Sequence, residues 1–228
     1  MPKSALLAVA LAGATVALVT ACATGPTGGQ SMSFFISSTG SGKGADLGGL
    51  AGADALCQRL AGTAGAGGKT WRAYLSVPPT FPQGSTPGVA AVNARDRIGT
   101  GPWHNAKGDL IARDLAHLHD GNNISKATAL DERGNPVRGR GDNPNEHDIL
   151  TGSRADGSAF APQTDTTCGA WTKSGAEGSA VVGHHDRNGP MPEAWATSWN
   201  FSHQSAGCSQ EALVRTGGSG RLYCFAAR

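Results

Sequence analysis

Gly52 to Ser76 reads GADALCQRLAGTAGAGGKTWRAYLS, and two different periods follow one another in it. With the residues just before it, Leu47, Leu50, Asp54, Cys57 and Ala61 recur at helical spacing, and Leu56 and Leu60 lie alongside. That spacing predicts an amphipathic helix of about 12–15 residues with Cys57 facing inward. Gly65 and Gly67-Gly68 end it. Thr70 to Ser76 then alternates as a strand, with Trp71, Ala73 and Leu75 on one face.

Upstream, Phe34 to Ser37 is a short β-prone run closed by Gly40. Downstream, Pro78 to Gly88 is a proline-rich loop, and Asp109 to His119 predicts a second helix carrying Leu110, Leu115 and Leu118. Gly134 to Asn145 is turn-rich, Asp148 to Gly152 resembles a strand end, and Arg221 to Phe225 closes the chain as a strand. Strand, helix, strand and then irregular chain predicts an α+β domain. Glycine supplies 34 of 228 residues, which favours turns and loops over long regular elements. The net charge of +2 supplies no electrostatic case for nucleic acid.

The N-terminus carries a separate signal. Lys3 precedes an uncharged run from Ala5 to Ala21 that ends Val19-Thr20-Ala21-Cys22. A positive start, an apolar stretch and small residues at its end define an export signal. The last four residues resemble the bacterial lipobox. That resemblance implies cleavage before Cys22, diacylglycerol on its sulfur and acylation, commonly with palmitate, of its new amine. The expected layout is a signal at 1–21, a lipidated flexible tether at 22–32 and a domain at 33–228. Two or more acyl chains give stable anchoring in a bilayer. By resemblance to the sorting rule of enteric bacteria, Ala23 after the cysteine, rather than an aspartate, favours the outer membrane, on its periplasmic face or at the cell surface.

The other four cysteines are Cys57, Cys168, Cys208 and Cys224. In an exported chain an even set predicts two disulfides, and sequence alone leaves three pairings open.

Gly52–Ser76 is similar to the opening of endostatin, the C-terminal domain of collagen XVIII, in which a G-A-D-x-x-C helix leads through glycines into a T-F-R-A-F-L-S strand. The likeness continues through VNARDRI (92–98), TGSRADGSAF (151–160) with CGAW (168–171), and SAGCSQ (205–210) with LYCFA (222–226). It is weakest between residues 104 and 147, and it extends to exported bacterial proteins labelled lectin. It implies a C-type-lectin-like fold with two helices, small twisted antiparallel sheets and long loops. It also implies an outer bridge, Cys57–Cys224, and an inner one, Cys168–Cys208.

The same resemblance places variable loops between the inner cysteines. The candidate ligand-binding residues are therefore His184, His185, Asp186, Asn188, Trp195, Trp199 and Asn200. The expected ligand is a glycan or a protein at the cell envelope, bound without catalysis. A calcium site of the C-type-lectin kind is not expected, because Phe201 stands where Trp-Asn-Asp would place its aspartate and the preceding loop lacks Glu-Pro-Asn. Zinc at His184-His185-Asp186, with His203 or His147 as a third ligand, meets an obstacle: adjacent strand residues point to opposite sides. No cofactor is therefore assigned. Two other function classes compete. An envelope hydrolase would use His147-Asp148 or His185-Asp186, but neither G-x-S-x-G nor H-E-x-x-H occurs. A structural or adhesive lipoprotein would draw on Arg140-Gly141-Asp142, a triplet that also suits a braced turn.

Overall fold

A computed structural model of the chain describes Met1 and residues 31–162 and 165–227. Cys22, the predicted signal and the tether up to residue 30 lie outside the described residues. At the end of the predicted tether, Ser31 and Met32 are held to the domain by the Lys69 ammonium, which donates to both. No helix among the described residues is long and apolar enough to cross a membrane.

The architecture is mixed α and β. The strands are β1 (Phe34–Ile36), β2 (Trp71–Ala73), β3 (Trp103–His104), β4 (Leu110–Ala112), β5 (Asp148–Leu150), β6 (Val181–His184), β7 (His203–Gln204) and β8 (Gly218–Ala226). The helices are α1 (Gly49–Thr63), α2 (Leu115–Asp120), α3 (Cys168–Trp171) and α4 (Gln210–Thr216). The main sheet runs β1-β8-β5-β6-β7, with β2 also paired to β8; β3 and β4 form a separate pair. All pairs are antiparallel except β5 with β8.

The long strand β8 organises the interior because both of its faces are apolar. Leu222 and Cys224 point toward α1, with Phe35, Trp71, Ala73, Leu75 and Leu150. Tyr223 and Phe225 point the other way, with Phe34, Ile36, Tyr74, Trp103 and Ile149. Successive residues of β1, β5 and the end of β8 alternate between the two clusters, so these strands are buried on both sides. Trp71, Ala73 and Leu75 share a face, as their alternation predicts.

Helix α1 buries Ala53, Asp54, Leu56, Cys57, Leu60 and Ala61. It ends one residue before Ala64, ahead of Gly65, whose φ of 78° no L side chain favours. The two bridges are Cys57–Cys224 and Cys168–Cys208. The first ties α1 to β8, and the second ties α3 to the chain just before α4.

Two expectations are corrected. The segment predicted as one helix over 109–119 divides: Leu110–Ala112 pairs with β3, and helix begins only at Leu115, after Asp114 caps the His117 amide. The described residues also hold four helices rather than two. In α4, Ser209 caps the start and Gly217, at φ 104°, forms the end. In α3, all four residues have positive φ, so it is a left-handed turn. Such a turn costs roughly 1–2 kcal/mol per non-glycine residue. It is held by the Cys168 bridge and by Trp171, fully buried with its indole N–H donating to the Ser76 carbonyl.

Candidate functional site

Two features meet at β6. The first is the loop that follows it. Gly183 lies beneath this loop: a Cβ there would come within 1.9 Å of the Trp199 carbonyl oxygen. Only glycine permits that approach. The His184 amide donates to the Ser198 carbonyl, and His184 Nδ1 lies 2.7 Å from the Ala196 carbonyl. Residues 196–200 therefore lie directly on the sheet, which buries Trp199 and Asn200.

Facing this loop is the segment around the end of α2. Together they enclose a cleft of about 560 Å³, lined by His119, Asn122, Arg187, Thr197, Trp199 and Asn200 among others. Arg187 joins its walls by donating from Nε to the Ile124 carbonyl and from Nη2 to Asn122 Oδ1. It does so from a φ of 57°, an unusual value for a residue with a side chain. Arg187 has no ion-pair partner, and its Nη1 makes no hydrogen bond, among the described residues. Burial lowers the pKa of its guanidinium.

The back of the cleft is a fixed hydrogen-bond chain. Asn200 Nδ2 donates to the Tyr74 hydroxyl, which lies 2.8 Å from His119 Nε2. His119 Nδ1 faces the Leu115 carbonyl at 2.8 Å. A carbonyl only accepts, so Nδ1 carries the proton and Nε2 accepts from Tyr74. Burial pushes the Tyr74 phenol far above its ordinary value and lowers the pKa of His119. Asn200 is committed on both sides of its amide, since Oδ1 accepts from the Ser198 hydroxyl. It is a wall residue rather than a free calcium ligand.

The second feature is a buried cluster that shares His184 with the loop contacts. Asp148 stands directly across from His184, and His203 pairs with Val182 one step along the same face. His147 folds back so that its ring stacks on that of His184, with centroids 4.1 Å apart and an interplanar angle of 11°. The Nε2 atoms of His147 and His184 each lie 3.2 Å from Asp148 Oδ1, and that of His203 lies 3.5 Å away. None of these contacts has the alignment of a hydrogen bond: both Asp148 oxygens and His184 Nε2 are buried without a partner. Burial pushes the Asp148 carboxyl up, but the neighbouring imidazoles of His184 and His203 outweigh it and hold it below the usual carboxylate range. Asp148 in turn raises the pKa of His203.

The sequence-predicted residues thus divide. His184 belongs to the Asp148 cluster and is also an anchor of the cleft loop. His185 points away, as adjacent strand residues must, and its Nε2 meets the Arg138 carbonyl. Asp186 braces the cluster from outside by contacting His147 Nδ1 at 3.2 Å and accepting the Arg140 and Asn188 amides. Burial raises the Asp186 carboxyl, but His147 and those amides hold it well below its ordinary range. Asn188 is exposed, and Trp195 is 41% exposed on the loop. Trp199 and Asn200 line the cleft. Asp142 of the Arg-Gly-Asp triplet accepts the Gly139 amide and pairs with Lys126, which makes that segment a braced turn.

The α2 side of the cleft was not anticipated, because the weakest stretch of the resemblance covers it. The sequence reading sets His203 or His147 beside His184 as metal ligands, but with His185 and Asp186 rather than with Asp148. Only Asp148 to Gly152 reads as a strand end, and the register that sets it against Val181–His184 is visible only in the folded sheet. No family model matches the chain, and no curated protein sequence matches it significantly.

Proposed function

We propose that this chain is a lipid-anchored envelope lipoprotein whose C-type-lectin-like, endostatin-like domain binds a glycan in the cleft between α2 and the 187–200 loop. The observation that carries the reading is Arg187. Its guanidinium lines a cleft of about 560 Å³ with an edge that no protein group pairs. Ligand sites combine a largely pre-formed concavity with a few fixed polar groups, and a planar guanidinium suits a carboxylate bidentately. An acidic sugar, with its hydroxyls against the Thr197 and Ser198 side and its carboxylate on Arg187, matches these walls.

Binding rather than turnover is the reading because the hydroxyl held by a cleft histidine belongs to Tyr74. That phenol is fully buried and its pKa is raised, so it is a poor nucleophile. The anchor rests on the Val19–Cys22 motif and on the parity of the remaining four cysteines, all bridged.

The test is a glycan array probed with the full chain, followed by calorimetric titration of the acidic glycans retained. Arg187→Gln weakens binding at least about tenfold, the scale of one lost charged contact. Phe81→Ala, in the exposed proline-rich loop, leaves it unchanged. Retention of no acidic glycan would reject the ligand class. Mass spectrometry of the mature N-terminus tests the anchor: an unmodified Cys22, or cleavage elsewhere, would reject it.

A further inference from the structure

We propose that His147, Asp148, His184 and His203 form a binding site for one divalent transition-metal ion of the zinc class, separate from the cleft. The ligand atoms of His147, Asp148 and His184 lie within 4.8 Å of one another. A tetrahedral ion with nitrogen and oxygen ligands at about 2.0–2.2 Å sets them about 3.3–3.6 Å apart, close to the 3.2, 3.2 and 3.5 Å that already separate Asp148 Oδ1 from the Nε2 atoms of His147, His184 and His203.

The orientation of the rings is the stronger argument. Each imidazole is tied down at Nδ1 by a group that can only accept: Asp186 Oδ1 for His147, the Ala196 carbonyl for His184 and the Gln204 carbonyl for His203. Each Nδ1 therefore carries the hydrogen, and in the neutral ring each Nε2 presents a lone pair. All three Nε2 atoms gather around Asp148 Oδ1, another acceptor, at 3.2, 3.2 and 3.5 Å, without the alignment of hydrogen bonds to it. Four acceptors facing one another in a dry interior repel unless a cation lies among them. One divalent ion satisfies all four.

The outer contacts fit as well. Histidine ligands almost always donate the other ring N–H to a carboxylate or carbonyl, which sets tautomer and orientation. A donor set of three imidazoles and one carboxylate suits zinc rather than calcium or magnesium, which prefer oxygen. Access is available through His203, whose side chain is 30% exposed while those of His184 and Asp148 are 1% exposed. Room for the His147 ring depends on Gly217, where a Cβ would come within 3.2 Å of its Nε2.

The experiment uses the untagged full chain in detergent, carrying Cys22→Ser to remove the cysteine outside the two bridges. The chain is loaded with Zn²⁺, passed through gel filtration and analysed by mass spectrometry for metal. One Zn²⁺ per chain is expected, with no displacement by excess Ca²⁺. His203→Gln at the exposed rim weakens Zn²⁺ at least about tenfold, and Asp148→Asn abolishes retention. Because Asp148→Asn disturbs a buried position, a second readout uses the parent chain alone: Zn²⁺ protects His203 from diethylpyrocarbonate. No retained Zn²⁺ in a natively folded parent would overturn the proposal. So would displacement by Ca²⁺, His203→Gln binding as tightly as the parent, or His203 modified equally with and without Zn²⁺.

Discussion

Asp54 is the residue through which α1 is fastened to the sheet, and Asp54→Asn measures that fastening. The carboxylate accepts from Arg72 Nη1 at 2.7 Å, from Arg97 Nη2 at 2.7 and 2.8 Å, and from the Ala73 amide at 2.9 Å. It thereby joins α1, β2 and the segment at 94–97. Asp54 and Arg97 are nearly buried, with side-chain exposures of 11% and 12%, whereas Arg72 is 45% exposed. Burial lowers the Arg97 pKa, and the Asp54 charge opposes that shift. Replacing the carboxylate by an amide turns one acceptor oxygen into a donor that faces Arg97, and leaves the guanidinium buried without a counter-charge. Breaking a buried pair on one side costs about 3–5 kcal/mol. The Arg72 arm is screened by solvent and contributes about 0–1 kcal/mol. Urea denaturation with both disulfides intact should therefore place Asp54→Asn and Arg97→Gln each about 3–5 kcal/mol below the parent, and Arg72→Gln within about 1 kcal/mol of it. The double variant should fall well short of the sum, because both changes remove one interaction. A loss under about 1 kcal/mol for Asp54→Asn, or additivity in the double variant, would refute the reasoning.

Three further outcomes follow from the structure. Cys168→Ala with Cys208→Ala should cost about 4 kcal/mol and Cys57→Ala with Cys224→Ala about 5, in the order of their separations of 40 and 167 residues; denaturant midpoints that rank them the other way would count against loop entropy as the cause. Gly183→Ala forces a methyl to within 1.9 Å of the Trp199 carbonyl, so the cleft loop must lift, at roughly 1–3 kcal/mol; a thermal midpoint and tryptophan emission unchanged from the parent would contradict this. Burial depresses the His119 pKa, so the neutral ring is favoured on folding. Its stabilisation is complete above the unfolded value near 6.5 and is lost as pH falls through the lower folded value. Stability measured between pH 7 and pH 5 should therefore fall more steeply in the parent than in His119→Gln, and parallel profiles would exclude the burial of His119 as a cause of the loss.

What the sequence made legible was whatever repeats within a few residues. Helix α1 shows its period over 15 residues, and β2 shows its alternation beside it. The parity of four cysteines carried the number of bridges, although their pairing came from resemblance alone. Elements of two or three residues, such as β3, β4 and β7, are too short to display a period, and the Leu110–Ala112 strand was absorbed into a helical reading. Helix α4 had readable ends in Ser209 and Gly217, but its seven residues make barely two turns. The Asp148 cluster illustrates a different limit. The opposite pointing of His184 and His185 follows from strand geometry, and it holds. Which distant residues meet His184 depends on register between β5, β6 and β7, and register is a property of the folded sheet rather than of any one segment.

The same imidazole changes how Trp199 and Asn200 should be understood. They were selected as ligand contacts because of their place between the inner cysteines. Yet Trp199 is 3% and Asn200 1% exposed, and Asn200 spends its amide on Tyr74 and the 154–155 carbonyls. Their burial traces to β6: Gly183 has no side chain to hold the loop off, and His184 fastens it through both its backbone amide and Nδ1. With the loop pressed onto the sheet, the groups left at the cleft surface are those that the sheet does not claim, chiefly the free edge of Arg187 and the exposed Asp120. His184 thus holds the cleft wall with one ring nitrogen while the other faces Asp148. Its replacement should loosen the wall and the cluster together, whereas changes at Arg187 or His203 should each disturb only one.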